Sequence, residues 1–230
     1  MEELKNYLES LKIQNIDEIL NKFSIYYDLL IEWNNKFNLT SITDKKDVEI
    51  KHFIDSISSY NYINNNSLIC DIGAGAGFPS IPLAILKNDC HFVLVDSLNK
   101  RVNFLNEVIN KLELKNCECI HARVEDFAIK NKNRFDYTIA RAVAPLNVLL
   151  EYTIPLLKIN GKLIAYKGSN IDEEINEAKN AFNLLNSKIS NKYILSLPNG
   201  DFRCLLEVIK TNNCLNKFPR SGNKPRTNPL

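Results

Sequence analysis

Three glycines spaced by single residues, Gly73, Gly75 and Gly77, follow an apolar run at 67–71 and lead through Phe78 and Pro79 into a helical stretch from about Ser80. Glycines at a strand-to-helix turn permit a tight bend and let a ligand approach the backbone, at the carboxyl end of a strand where open α/β sheets bind ligands. The spacing is G-x-G-x-G, unlike the G-x-G-x-x-G of a dinucleotide fingerprint, and an acid, Asp71, stands two residues before the first glycine. A carboxylate there repels a pyrophosphate but can hold an amino group. Asp96 ends the next apolar run, about 20 residues on, where an acid accepts both hydroxyls of a ribose. An acid for a cationic amino-acid portion and an acid for a ribose together suggest S-adenosylmethionine. The alternative is a loop that only turns and acids that only cap.

Further candidates follow the later apolar runs. Ala122, Arg123, Val124, Glu125 and Asp126 come after the run at 117–121. There Val124 can pack on an adenine ring while Glu125 or Asp126 pairs its edge, although either acid could instead cap a helix. Arg141 ends the run at 135–140 and faces the cleft as a cofactor or substrate contact, with Pro145 suited to the first turn of the next helix. Lys167 and Gly168 end the following run and lie along the same rim. His52 and Asp55 are three apart on one helix face, either a pair that fixes the fold or a rim contact. Cys117, Cys119 and His121 alternate along one run, a core pattern more than a metal site, and no Cys-x-x-Cys complements them. No metal is expected.

Absent motifs narrow the chemistry. The chain has no Asp-Pro-Pro-Tyr or Asn-Pro-Pro-Tyr, the pattern of exocyclic-amine methylation, and no Pro-Cys or Thr-Cys, the setting of a nucleophile for cytosine C5. A target with its own lone pair, such as guanine N7, needs neither a nucleophilic cysteine nor a base, so positioning and electrostatics carry the rate.

The elements that must position these residues follow from periodicity. Leu4, Leu8 and Leu11, then Ile16 to Ile31, recur at helical spacing, which predicts two helices with a break near Asn15; a third short helix is expected over 47–60. Residues 1–60 thus read as a helical cap, and 61–230 as the core with a basic tail, the two forming one compact unit. From 67 onward, strand-length runs at 67–71, 91–97, 117–121, 135–140 and 161–166 alternate with helical stretches at 79–88, 99–114, 145–158 and 171–188. That alternation predicts a mostly parallel sheet with helices on both faces. Runs at 193–197 and 202–209, joined through Asn199 and Gly200, predict an antiparallel hairpin at a sheet edge.

Composition sets the class. The 230 residues are 45% hydrophobic and 24% charged, which excludes extensive disorder and supplies a core large enough to shape a pocket. Six cysteines lying mostly in apolar runs read as reduced thiols, and neither a secretory start nor a membrane span is evident, so a cytoplasmic protein is expected. Net charge is +2, but residues 203–230 carry six bases against one acid. This basic end is either a field for a polyanion or a solvated tail.

Taken together the chain resembles the bacterial 16S ribosomal RNA guanine-N7 methyltransferase G family, also called the glucose-inhibited division protein B family. The resemblance rests on Trp33, Asn38, Leu39 and Thr40; His52, Asp55 and Ser56; the loop from Asp71 to Pro79 with Ile81 and Pro82; Arg123 to Glu125; Ala140 to Leu146; Tyr166 to Gly168; and the tail from Phe218 to Leu230. It implies a class I Rossmann-like methyltransferase fold of seven strands. It also implies S-adenosylmethionine bound by Gly73, Phe78, Val124, Glu125 and Arg141, with Asp71, Gly75, Gly77 and Asp96 beside them. The implied substrate is one guanine in the decoding-region loop of 16S rRNA, free or in the small ribosomal subunit, methylated at N7 by a monomer. Arg141 and Lys167 would position it, and Arg123, Arg203, Arg220, Lys224 and Arg226 would hold phosphates or the flipped base. Ser80, Ala74 and Phe218 depart from the residues common in the family, and none removes an essential group. The competing readings are a non-catalytic RNA or ribosome-assembly module on the same fold, a methyltransferase for a small molecule or protein, and, least favoured, a nicotinamide-dependent oxidoreductase.

Overall fold

The computed structural model describes all 230 residues. The helical cap comprises α1 (Glu2–Ser10) and α2 (Ile16–Asn34), separated by Asn15 in the left-handed conformation, φ 55°. A continuous helical stretch follows: α3 (Lys45–Val48), a π-helical segment Glu49–Ile54 and α4 (Asp55–Ile57). The Asp44 carboxylate starts it by accepting the Lys46 and Asp47 amides.

The core alternates as its periodicity predicts: β1 (Leu68–Ile72), α5 (Ser80–Leu86), β2 (His91–Asp96), α6 (Asn99–Lys111), β3 (Cys117–His121), α7 (Val124–Lys130), β4 (Phe135–Arg141) and α8 (Leu146–Thr153). Then come β5 (Leu157–Lys167), α9 (Ile171–Glu177), α10 (Lys179–Leu184), β6 (Ser187–Ser196), β7 (Phe202–Lys210) and α11 (Lys224–Thr227). The strands form one seven-stranded sheet in the order β3-β2-β1-β4-β5-β7-β6. Strands β1 to β5 pair in parallel, whereas β7 runs antiparallel to both β5 and β6. The chain therefore reverses direction across the sheet between β1 and β4, and the crevice at that switch is where ligands of open α/β sheets bind.

Alternate strand residues serve opposite layers. Ile69, Leu94, Ile139 and Ile164 pack with Phe104 and Leu105 of α6 and with Phe23, Leu30 and Phe53 of the cap. Cys70, Val93, Ala140 and Leu163 pack instead with α8, α10 and Phe218 of the tail. The cap is thus part of the layer covering one sheet face.

Three boundaries differ from the periodicity. The helix expected over 145–158 gives way at Pro155, and β5 begins at Leu157. The helix expected to 188 divides into α9 and α10, and β6 starts at Ser187. Strand β6 is the sheet edge expected from the run at 193–197, and it pairs antiparallel with β7 as that hairpin requires; exposed Lys188, Ser190, Asn191 and Lys192 disguise only its first half, and such charges also keep an edge from pairing with another chain. Finally, neither Glu125 nor Asp126 caps a helix: the N-cap of α7 is Arg123, and both acids lie in its first turn.

All six cysteines are free thiols. Burial pushes the Cys117 and Cys119 thiols up to about 12. No group of three or more His, Cys, Asp or Glu side chains could hold a metal ion, and no helix is long and apolar enough to cross a membrane.

Candidate active site

The glycine loop is hung from the end of β2. The amides of Gly73 and Ala74 donate to the Val95 carbonyl at 2.8 and 3.1 Å, and the Gly75 amide donates to Asp96 Oδ2 at 2.9 Å. Asp96 Oδ1 accepts the Leu98 amide at 2.9 Å, so this buried carboxylate shapes the loop as well as facing the cleft. Gly77 has φ +93°, and a Cβ there would meet Ile81 and the Tyr26 hydroxyl at 2.7 Å. Only glycine fits between loop and cap. The Tyr26 hydroxyl in turn donates to the Ala76 carbonyl, which ties α2 to the loop.

Asp71 lies beneath this loop, 1% exposed. Its Oδ2 accepts the Ser80 hydroxyl at 2.7 Å, while its Oδ1 has no partner. Burial raises its carboxyl to about 8, against the opposing effects of Ser80 and Arg141. An orphaned buried carboxylate oxygen is a strong attractor for a cation or a proton.

Two clefts open at the carboxyl edge of the sheet and share Ala142 and Val143, just past β4. The first, about 610 Å³, is lined by Gly73, Asp96, Arg101, Arg123, Val124 and Glu125 among others. Gly73 has φ +67°, and a Cβ there would stand 3.2 Å from Val143. Glu125 is buried, accepts the Tyr152 hydroxyl at 3.1 Å and lies 3.6 Å from Arg123 Nε. This cleft has what an aminoacyl nucleoside requires: an apolar wall at Val95, Val124 and Val143, a carboxylate at Asp96, and an open glycine backbone.

The second cleft, about 880 Å³, carries Lys51, His52, Asp55, Arg141, Tyr166, Lys167 and Arg203. Asp55, fully buried, binds two arginines: Arg141 Nη1 at 2.8 Å, and Arg203 through Nε at 2.5 Å and Nη2 at 2.9 Å. Arg141 also donates to the Lys51 carbonyl at 3.0 Å and to His52 Nδ1 at 3.1 Å, and its guanidinium lies 5.0 Å over the Phe78 ring. An arginine only donates, so His52 Nδ1 accepts and Nε2–H faces Thr40 Oγ1 at 2.9 Å. Burial and the Arg141 charge push His52 down to about 3. Lys167 donates to Glu174 at 2.6 Å and to the Ala144 carbonyl at 3.0 Å.

A family model described as rRNA small subunit methyltransferase G matches residues 19–198. The chain is 47% identical over 224 residues to the ribosomal RNA small subunit methyltransferase G of Streptococcus suis (strain 05ZYH33), covering 95% of this chain and 94% of that protein. It is 46% identical to the protein of the same name from Streptococcus pneumoniae serotype 19F (strain G54), covering 98% and 99%. The chain belongs to the rRNA small subunit methyltransferase G family. Solved structures similar in fold include M. jannaschii TYW2 in complex with AdoMet, with TM-score 0.56, 20% identity and coverage of 69% of this chain and 76% of that one. A SAM-dependent methyltransferase from Aquifex aeolicus has TM-score 0.55 and 18% identity, covering 73% and 94%.

Within this methyltransferase G fold the expected residues divide. Gly73, Asp96, Val124, Glu125 and Arg123 meet at the smaller cleft, and Arg141, Lys167 and Arg203 at the larger. Gly75 and Gly77 shape the loop without lining either cleft. Phe78 stacks on His52, ring centroids 4.4 Å apart, and packs against Tyr26 and Phe53, so its side chain joins cap to core. Arg141, which the resemblance implies both binds the cofactor and positions the substrate, lines the larger cleft and not the smaller one.

The tail departs most from the sequence reading. Arg220, expected to grip phosphate, is held by the fully buried Glu151 through Nε at 2.9 Å and Nη2 at 2.7 Å. Arg226 turns toward the smaller cleft, and of the three tail bases only Lys224 lines neither cleft and pairs with no carboxylate. Sequence reasoning missed Glu151, Glu174, Arg101 and Asn223. Arg101 was within reach as one of two consecutive bases, Lys100 and Arg101, in the first turn of the helix after Asp96, and it lies 3.5 Å from that carboxylate. Glu151 carries no local signal, because its partner Arg220 lies 69 residues away.

Proposed function

We propose that this protein transfers the methyl group of S-adenosylmethionine to N7 of one guanine in the decoding-region loop of 16S rRNA, acting in the cytoplasm as a monomer on free RNA or the small ribosomal subunit. The observation that carries the reading is the pair of clefts meeting at Ala142 and Val143: one offers the acids and backbone for the cofactor, the other a basic rim. When bound, the cofactor supplies an electrophilic methyl group. Gly73, Asp96, Val124 and Glu125 would hold its nucleoside, and the unpartnered Oδ1 of Asp71 fits a cationic amino group. Arg141 and Lys167 would hold the flipped base, each fixed in advance by its own partner: Asp55 for Arg141 and Glu174 for Lys167.

Guanine N7 has a free lone pair, so no proton need be removed before it reacts. His52 supports this choice of target, since both its ring nitrogens are engaged and its depressed pKa makes it a poor base at neutral pH. Arg123, its side chain 60% exposed at the lip of the smaller cleft, and Arg203 would contact RNA phosphates.

The test is incubation of the protein with tritiated S-adenosylmethionine and small subunits from a strain lacking the modification, followed by nucleoside analysis. Labelled 7-methylguanosine from a single site is expected. Label in a protein or a metabolite, or in another nucleoside, overturns the reading.

A further inference from the structure

After β7 the chain does not run off into solvent. It returns across α8, burying Phe218 in the second core layer and Pro225 at the start of α11. Glu151, in the middle of α8 and fully buried, accepts both the backbone amide of Arg220 at 2.8 Å and its guanidinium in a two-pronged pair. The same guanidinium donates to the Asn228 carbonyl at 2.9 Å, so one side chain pins the tail on both sides of α11. A planar arginine fork on a buried carboxylate is a specific, pre-organised latch.

The latch fixes what lies between its two ends. Asn223 and Arg226 line the smaller cleft together with Gly73, Asp96, Val124 and Glu125. Arg226 also lies near the Tyr152 hydroxyl, which donates to Glu125 Oε1 at 3.1 Å. The tail therefore completes the wall beside Val124 and Glu125, the residues expected at the adenine.

We infer that the C-terminal segment is a structural wall of the cofactor site, with Arg226 a binding residue for the adenosine portion of the cofactor and Arg220 the positioning residue that docks it. This rests on the reading that the smaller cleft takes S-adenosylmethionine, and it transfers two of the tail's bases from RNA to cofactor. The chemistry suits the assignment: a guanidinium is flat, weakly hydrated and stacks on aromatic rings, as an adenine face requires. With Val124 on the same cleft, the base has an apolar neighbour and a planar cation available to it.

The experiment is calorimetric titration of the full-length protein with S-adenosylmethionine and with S-adenosylhomocysteine, which has the same adenosine but no sulfonium charge. Arg226→Ala is expected to weaken both ligands about tenfold and equally, since the contact is to the shared nucleoside, and Arg226→Lys to recover little because the planar fork is lost. Arg220→Ala is expected to weaken both at least as much, with the double variant no worse than Arg220→Ala alone. If Arg220→Ala fails to fold, the Arg226 variants alone decide, because Arg226 is exposed and off the core.

Filter binding of small-subunit RNA over a salt series runs alongside, and an unchanged salt slope is expected for Arg226→Ala. Wild-type affinity for both ligands in the Arg226 variants overturns the inference, as does a lowered salt slope with cofactor affinity intact, which returns the tail to RNA. Failure of the wild-type protein to bind either ligand overturns the cofactor reading itself.

Discussion

Burial raises the Asp71 carboxyl from an ordinary 3.8 to about 8, which favours its protonated form in the free protein at neutral pH. A group that binds its proton more tightly when folded stabilises the fold below its unfolded pKa and loses that contribution as pH rises through the folded value. An asparagine at this position does not titrate. The melting temperature of Asp71→Asn relative to wild type should therefore climb from pH 4 to pH 8 and level off above, while affinity for S-adenosylmethionine falls at least tenfold. Parallel melting curves across that range would show that Asp71 is already ionised in the free protein. The Ser80 hydroxyl matters here because it donates to the carboxylate at 2.7 Å while Oδ1 stays unpartnered, at a loop position where the family resemblance leads one to expect glycine. Residue chemistry was legible in the sequence wherever it is local: the glycine spacing, Asp71, Asp96 and Val124–Glu125 each follow a strand end. Asp55 was legible only as a neighbour of His52, since its arginines are 86 and 148 residues away.

Those distant partners act at the scale of elements. The helical stretch from α3 to α4 is tied to the carboxyl ends of β4, β5 and the start of β7 by Asp55 with Arg141 and Arg203, and by the Tyr166 hydroxyl donating toward the Ser56 carbonyl and Ser59. Its π-helical segment also presents Glu49, which accepts the Leu4 amide at 2.7 Å and so anchors α1. Removing one partner of a buried ion pair leaves an uncompensated charge, at a penalty of about 3–5 kcal/mol. Both arginines keep some water contact, 13% and 21% exposed, so Asp55→Asn should fall near the lower end, about 3 kcal/mol by urea denaturation. It should also free Arg141 to move, lowering turnover more than cofactor affinity. A loss under about 1 kcal/mol would place the arginines with surface pairs. Element type was read correctly where an apolar face repeats, as in α1, α2 and α6. The edge hairpin was legible from the apolar runs at 193–197 and 202–209, but β6 begins six residues earlier, at Ser187, where exposed polar residues leave no period to read.

Across the whole molecule the cap and the sheet share one apolar layer, so the division at residue 60 marks a change of pattern more than a boundary of stability. Phe23, Tyr26, Leu30 and Phe53 are fully buried against Phe78, Phe104 and the sheet. Residues 61–230 alone would expose that face, and such a patch on an isolated fragment drives aggregation. The chain carries its own reporter for this. Its single tryptophan, Trp33, lies in α2, packs 5.7 Å from the Phe104 ring and donates from Nε1 to Glu107 of α6 at 3.0 Å. Trp33 fluorescence thus follows the cap–core contact, while far-ultraviolet circular dichroism follows the helices and the sheet together. If cap and core are one cooperative unit, the two signals will share a urea midpoint and slope. A fluorescence midpoint well below the dichroism midpoint would mean that the cap detaches first. Since Asp55 and Phe78 join the same two layers, the larger cleft would then come apart before the cofactor cleft, and RNA methylation would be lost at a urea concentration where S-adenosylmethionine still binds.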